Sequence, residues 1–302
     1  MDIRTEVIRN VLKKVRHLEV RTNRLLDDHF MGSYRSIFKG QGMDFEEVRE
    51  YAIGDDIRSI DWNITAKMNR PFIKKFREER ELTVLLVVDS SASLDFGSVS
   101  LSKREILTEI SSILAFSANR NNDKVGLLLF SDAIERFTPP AKGRKHILRI
   151  IRDILFHEPR SKGTDLIGTM RYLNQMLKKR AIIFLLSDFL QPNLQKMKQL
   201  TDALAITHRR HDLVCLRVED PRERDLSNLG IIIFEDQETG AILEIDTSEQ
   251  QFQRSYKAEK KRYNDLLNEQ LMKMGIDFFE VNTEEHYIEA LNQFLKGHAK
   301  KR

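Results

Sequence analysis

Leu82-Thr83-Val84-Leu85-Leu86-Val87-Val88-Asp89-Ser90-Ser91-Ala92-Ser93 is an apolar run that stops abruptly at an acid and spaced hydroxyls. Its apolar half has the composition of a central parallel strand, buried on both faces. Asp89, Ser91 and Ser93 then fall at the carboxyl end of that strand. In open α/β sheets ligands bind there, in the crevice where the strand order reverses. One carboxylate and two hydroxyls on a tight loop are hard oxygen donors, suited to Mg²⁺ or Mn²⁺.

Beyond this run the apolar pattern alternates between the periods of strand and helix. Strands are predicted at 82–88, 125–130, 134–137, 181–186, 213–218 and 277–281. Helices are predicted near 100–120, 143–156, 166–179, 193–209, 247–273 and 284–296. Such alternation predicts an α/β fold, a mostly parallel sheet with helices on both faces. A β-hairpin insertion is expected near 231–245, turning at Glu238-Thr239-Gly240.

On the amino-terminal side the pattern is less regular, and the chain divides into an extension, 1–80, and a main domain, 81–302. Ile3, Val7, Ile8, Val11, Leu12, Val15 and Leu18 recur at helical spacing, so one or two amphipathic helices are expected within 3–30, packed on their own globule. Gly54-Asp55-Asp56 reads as a turn. Asp55, Asp56 and Asp61 are expected to cap local backbone and to pair with Arg49, Arg58 or Lys67. Trp62, the one tryptophan, is expected to anchor this segment on a core. Pro71 to Arg80 suits a strand.

Composition narrows the function classes. Hydrophobic residues make up 41% of the 302, enough for a full core. The net charge of +4 is small for this length and does not call for nucleic acid. The single cysteine, Cys215, lies in an apolar strand, so an intramolecular disulfide is impossible and a cysteine-rich zinc site is disfavoured. No stretch approaches the roughly 20 apolar residues of a membrane span. The reading is a cytoplasmic protein. Gly40-Gln41-Gly42 lacks the strand, the helix and the third glycine of a dinucleotide loop. With no Gly-x-x-x-x-Gly-Lys-Ser/Thr sequence either, any ATP hydrolysis belongs to a partner.

Two further loops can join the first. Thr164 follows a glycine at the mouth of a helix, and Asp188 directly follows the strand that ends near Leu186. If these strands are neighbours, two acids and three hydroxyls meet at one end of the sheet. The set Asp89, Ser91, Ser93, Thr164 and Asp188 resembles the metal-ion-dependent adhesion site of von Willebrand factor A domains, in order and in context. The resemblance covers about 81–300. It implies a von Willebrand factor A-like (Rossmann-like) sheet and a bound Mg²⁺ (or Mn²⁺). By that resemblance Ser91, Ser93 and Thr164 coordinate directly, and Asp89 and Asp188 act largely through water.

A longer signature runs from Gly40 through Gly54-Asp55-Asp56-Ile57-Arg58-Ser59-Ile60-Asp61-Trp62 to Lys75-Phe76-Arg77-Glu78-Glu79-Arg80. It is similar to the bacterial family called domain of unknown function fifty-eight. Members are commonly encoded beside MoxR-type AAA+ ATPases and other von Willebrand factor A proteins. The resemblance therefore implies a metal-dependent protein-interaction module, an adaptor of a MoxR-type ATPase in protein assembly or maturation, rather than an enzyme. The alternative is a Mg²⁺-dependent hydrolase or phosphatase with Asp89 as nucleophile or ligand. Against it, position 91 is serine rather than a second acid, and no general base is evident nearby.

Overall fold

The computed structural model describes residues 3–26, 44–77, 81–98, 101–190, 193–224, 230–235, 240–284 and 287–300. Two compact units emerge, one formed by 1–37 with 83–302 and the other by 38–82. The expected extension 1–80 is thus divided. Its amino-terminal helix belongs with the larger unit, for reasons given below.

The strands in chain order are β1 (Asp44–Glu50), β2 (Phe72–Arg77), β3 (Thr83–Asp89), β4 (Lys124–Phe130), β5 (Ile134–Ala141), β6 (Ile182–Ser187), β7 (Asp212–Glu219), β8 (Ile231–Glu235), β9 (Ile242–Asp246) and β10 (Asp277–Asn282). The larger unit is built on a six-stranded sheet of order β10-β7-β6-β3-β4-β5. All its pairs are parallel except β4–β5. β3 is buried from Val84 to Asp89, as its unbroken apolar composition requires.

Side chains alternate across a strand, so the two faces of β3 serve two helical layers. Leu85 and Val87 join Leu128, Ile183, Leu185, Leu213 and Cys215 in a core shared with helices Leu166–Met176, Leu194–Arg210 and Gln250–Lys273. Val84, Leu86 and Val88, equally buried, face the layer of helices Lys103–Arg120 and Arg144–Phe156. This is the expected α/β architecture, a mostly parallel sheet covered by helices on both sides. The fourteen buried residues running from Lys103 to Ala118 reflect a helix held between the sheet and further helices.

One of those is the amino-terminal helix, Ile3–Leu25, which packs on Lys103–Arg120 and Arg144–Phe156. Val15 is buried in that contact. Arg21 reaches Glu109 at 2.5 Å, and Arg144 binds the buried Glu19 carboxylate at 2.5 and 2.8 Å. Packing and two ion pairs together explain why this helix leaves the extension.

β5 runs on through Pro139-Pro140 to Ala141, beyond the predicted end at 137. It is an edge strand, where proline removes no needed ladder bond. Gly126 on β4 lies beneath it: a Cβ there would sit 2.9 Å from Pro140 Cγ and 2.9 Å from Leu85 Cδ1. The hairpin of β8 and β9 forms as expected, and its turn at 236–239 lies outside the described residues.

In the smaller unit β1 and β2 pair antiparallel. The acid-rich turn is structural, as expected. Asp55 accepts from Ala52 N and from Arg49 at 2.7 Å, and Arg49 holds its carboxyl below the usual carboxylate range. Asp56 caps the turn Ile57–Ser59, and Asp61 caps helix Trp62–Met68. Trp62 departs from expectation, being 68% exposed. As the first residue after the Asp61 cap it starts a short helix with no buried residue, so it anchors no core here.

Candidate metal centre

β3 and β6 are neighbours, with Val88 opposite Leu186, so Asp89 and Ser187-Asp188 leave the sheet side by side. The chain passes from β3 to β4 on one side and reaches β6 on the other. The strand order therefore reverses at β3, and the predicted loops stand at the switch point.

The first loop is shaped by its own acid. Asp89 Oδ1 accepts from Ser91 N at 2.8 Å, which folds the backbone back over the strand end. Asp89 Oδ2 accepts from the Ser187 hydroxyl at 2.7 Å, tying the β3 and β6 ends together. On the opposite side Ser90 donates through N and Oγ to Phe130 O of β4, at 2.8 and 2.7 Å. Ser91 Oγ and Ser93 Oγ then lie 3.1 Å apart. Ser93 Oγ donates to Asp188 Oδ2 at 2.8 Å, and Asp188 Oδ1 accepts from Leu190 N.

Four of the five residues singled out from the sequence thus form one hydrogen-bonded cluster of hydroxyls and carboxylates. Thr164 lies on a loop fixed against the same place. Ala92 N donates to Lys162 O at 3.0 Å, and Asp165 N to Ser131 O at 2.8 Å. Asp165 itself caps helix Leu166–Met176 through Gly168 N.

The electrostatics match the donor set. Asp89 is pushed up to about 7, first by burial and then by the charge of Asp188, against the hydrogen bonds from Ser187 and Ser91. A cation beside a buried carboxyl favours its charged form. Among the described residues no group of three or more His, Cys, Asp and Glu is placed to hold a metal. A cation here depends on hydroxyl oxygens, which suits Mg²⁺ or Mn²⁺ and not zinc. By the chemistry of its donors the cluster fits the ion.

Sequence reasoning gave Lys103 no role, lysines being abundant in this chain. Its side chain is 0% exposed, and its ammonium lies 3.2 Å from Asp188 Oδ2 and 2.6 Å from Glu223 Oε1. Burial opposes its charge, but Asp188 and Glu223 outweigh burial and hold the ammonium above its ordinary range. Glu223 belongs to the short helix Pro221–Arg224 after β7. Next to it Asp220 accepts from Ser98 N, Ser98 Oγ and Thr283 Oγ1, and these bonds hold it below the usual carboxylate range despite burial. A polar network therefore continues from the hydroxyl cluster along the carboxyl ends of β6, β7 and β10.

Among the described residues no helix is long and apolar enough to cross a membrane. The family described as "Protein of unknown function DUF58" matches residues 47–265. The chain is 31% identical over 232 residues to the uncharacterized protein Rv1480 of Mycobacterium tuberculosis (strain ATCC 25618 / H37Rv), covering 76% of this chain and 72% of that protein. The uncharacterized protein Mb1516 of Mycobacterium bovis matches with the same identity and coverage. Among solved structures, BatB from Bacteroides thetaiotaomicron is 17% identical and covers 72% of this chain and 99% of its own, with a TM-score of 0.48. The SpRpn10 VWA domain is 9% identical, covers 70% of this chain and 95% of its own, and has a TM-score of 0.40. The family match spans the smaller unit from Glu47 within β1, the whole hydroxyl cluster and most of helix Gln250–Lys273, and on it the chain belongs to the DUF58 family.

Proposed function

We propose that this protein is a cytoplasmic, metal-dependent protein-interaction module, an adaptor of a MoxR-type AAA+ ATPase in protein assembly or maturation. In this reading Asp89, Ser91, Ser93, Thr164 and Asp188 hold Mg²⁺ or Mn²⁺. The observation that carries it is the linked cluster Asp89–Ser91–Ser93–Asp188 at the switch point of the sheet. An ion held by neutral hydroxyls and two carboxylates keeps affinity for a further oxygen donor, such as a carboxylate of a partner protein. The chain's own contribution is positional: Ser187 and Ser91 N orient Asp89, and Ser93 and Leu190 N orient Asp188.

Two measurements test the proposal in sequence. Mn²⁺ titration of the purified chain, followed by calorimetry, should show one site that Ser91→Ala/Ser93→Ala removes while the circular dichroism spectrum is kept. Capture of a purified MoxR-type ATPase by the wild type should then require divalent metal and be lost with EDTA. Metal binding without capture would discard the partner and keep the site. Unchanged Mn²⁺ binding in the folded double variant would discard the site itself.

A further inference from the structure

Lys103 combines two choices that each work against the fold. It occupies the first position of helix Lys103–Arg120, directly after the Ser102 cap, where the helix dipole disfavours a cation. It is also fully buried, where an unpaired ammonium is costly. The two carboxylates that offset both are not free to leave it. Asp188 is fixed by Ser93 and Leu190 N. Glu223 Oε2 accepts from Asp220 N at 3.2 Å, and Tyr256 donates its hydroxyl to Glu223 O at 2.9 Å. The ammonium therefore stands at a fixed place, on the same Asp188 oxygen that takes the Ser93 hydroxyl.

We propose that Lys103 sets the affinity of the cation site, as a tethered monovalent cation that cancels the charge of Asp188 and so weakens the binding of a divalent ion. The inference rests on the metal reading given above and deepens it. Of the two carboxylates in the cluster, Asp188 faces an ammonium, whereas Asp89 accepts neutral hydrogen bonds from Ser91 N and the Ser187 hydroxyl. A divalent ion entering beside Ser93 meets one carboxylate already neutralised and a positive charge that cannot swing away. Repulsion between close charges in a buried setting is large compared with the same pair in water. Removing the ammonium should therefore tighten divalent binding by about tenfold or more.

The test is calorimetric titration of Mn²⁺ and Mg²⁺ into the full chain, stripped of metal, for the wild type, Lys103→Met and Lys103→Met/Glu223→Gln. The double substitution neutralises Glu223, one of the two carboxylates that the single one leaves without a counter-charge, and it carries the test if Lys103→Met does not fold. Folded variants that bind Mn²⁺ about tenfold tighter than wild type, or that bind where wild type does not, support the inference. Wild-type binding with equal or weaker binding by a folded variant overturns the role of Lys103 and leaves the metal site standing. No binding by any of the three at millimolar ion overturns the metal reading, and this inference with it.

Discussion

Replacing Asp188 with alanine takes from the buried Lys103 one of its two counter-charges. Leaving a buried charge without any partner costs roughly 3–5 kcal/mol. Here Glu223 remains at 2.6 Å, so the loss is smaller than that limit. Ser93 keeps Ser91 as a partner at 3.1 Å, while the bond from Leu190 N to Asp188 is lost. Removing Asp188 also relieves the repulsion that raises Asp89. The balance is a destabilisation of about 2–3 kcal/mol, less than the full cost of an orphaned ion. In a unit of this size that lowers the midpoint of thermal unfolding by roughly 5–10 °C. The assay is urea and thermal unfolding followed by circular dichroism, in EDTA so that no ion contributes. Lys103→Met alone orphans two carboxylates and should cost about 3–5 kcal/mol. The double variant Asp188→Ala/Lys103→Met should cost less than the sum of the singles by at least about 1 kcal/mol, the signature of residues in contact. Additivity within about 0.5 kcal/mol would refute the pairing on which this reasoning stands.

Because Asp89 sits at about 7 in the fold, protons would compete below that pH with a metal ion held there as proposed. Mn²⁺ affinity should be flat above about pH 7.5 and fall by up to roughly tenfold per unit below about pH 6.5; constant affinity across that range contradicts it. The metal-free protein shows the converse. A carboxyl raised above its unfolded value favours folding while protonated, so this group's contribution declines as pH rises from about 4 to about 7 and is level above. Asp89→Asn should remove that slope from unfolding midpoints in EDTA. Gly126→Ala forces a methyl to within 2.9 Å of both Leu85 and Pro140, and should cost about 1–3 kcal/mol in urea unfolding; an unchanged midpoint refutes the close packing of β5. Val15→Asp places an unpaired charge between the amino-terminal helix and its two neighbours. That helix should then exchange its amide hydrogens much faster while β3 and β6 remain protected; equal protection in both refutes the docking.

The fold was legible because its central strands carry their burial in plain composition. Val84 to Val88 and Ile182 to Leu186 are unbroken apolar runs, which only a strand covered on both faces tolerates. The cluster was legible because each donor directly follows such a run or opens a helix. What escaped were residues whose role depends on distant partners. Trp62 is large and apolar, and composition alone assigns it a core, yet it is exposed at the start of a two-turn helix. Glu19 and Arg21 look like ordinary solvated helix charges until Arg144 and Glu109 are brought to them. Lys103 is one of many lysines. A local signal did exist, since a lysine at the first position of a capped helix runs against the dipole, but the acids that reward it lie 85 and 120 residues away.

The amino-terminal helix also sets the order of events during synthesis. Its partners, helices Lys103–Arg120 and Arg144–Phe156, emerge from the ribosome only after the whole of 38–82 and β3. At about 5–20 residues per second, Val15 waits on the order of ten seconds before its binding face exists. The smaller unit, by contrast, closes with partners near in sequence, β1 on β2 through the Asp55 turn. A nascent chain can therefore pair β1 with β2 while Val15 of the preceding helix still lacks its partners, the interval in which a holding chaperone has something to bind.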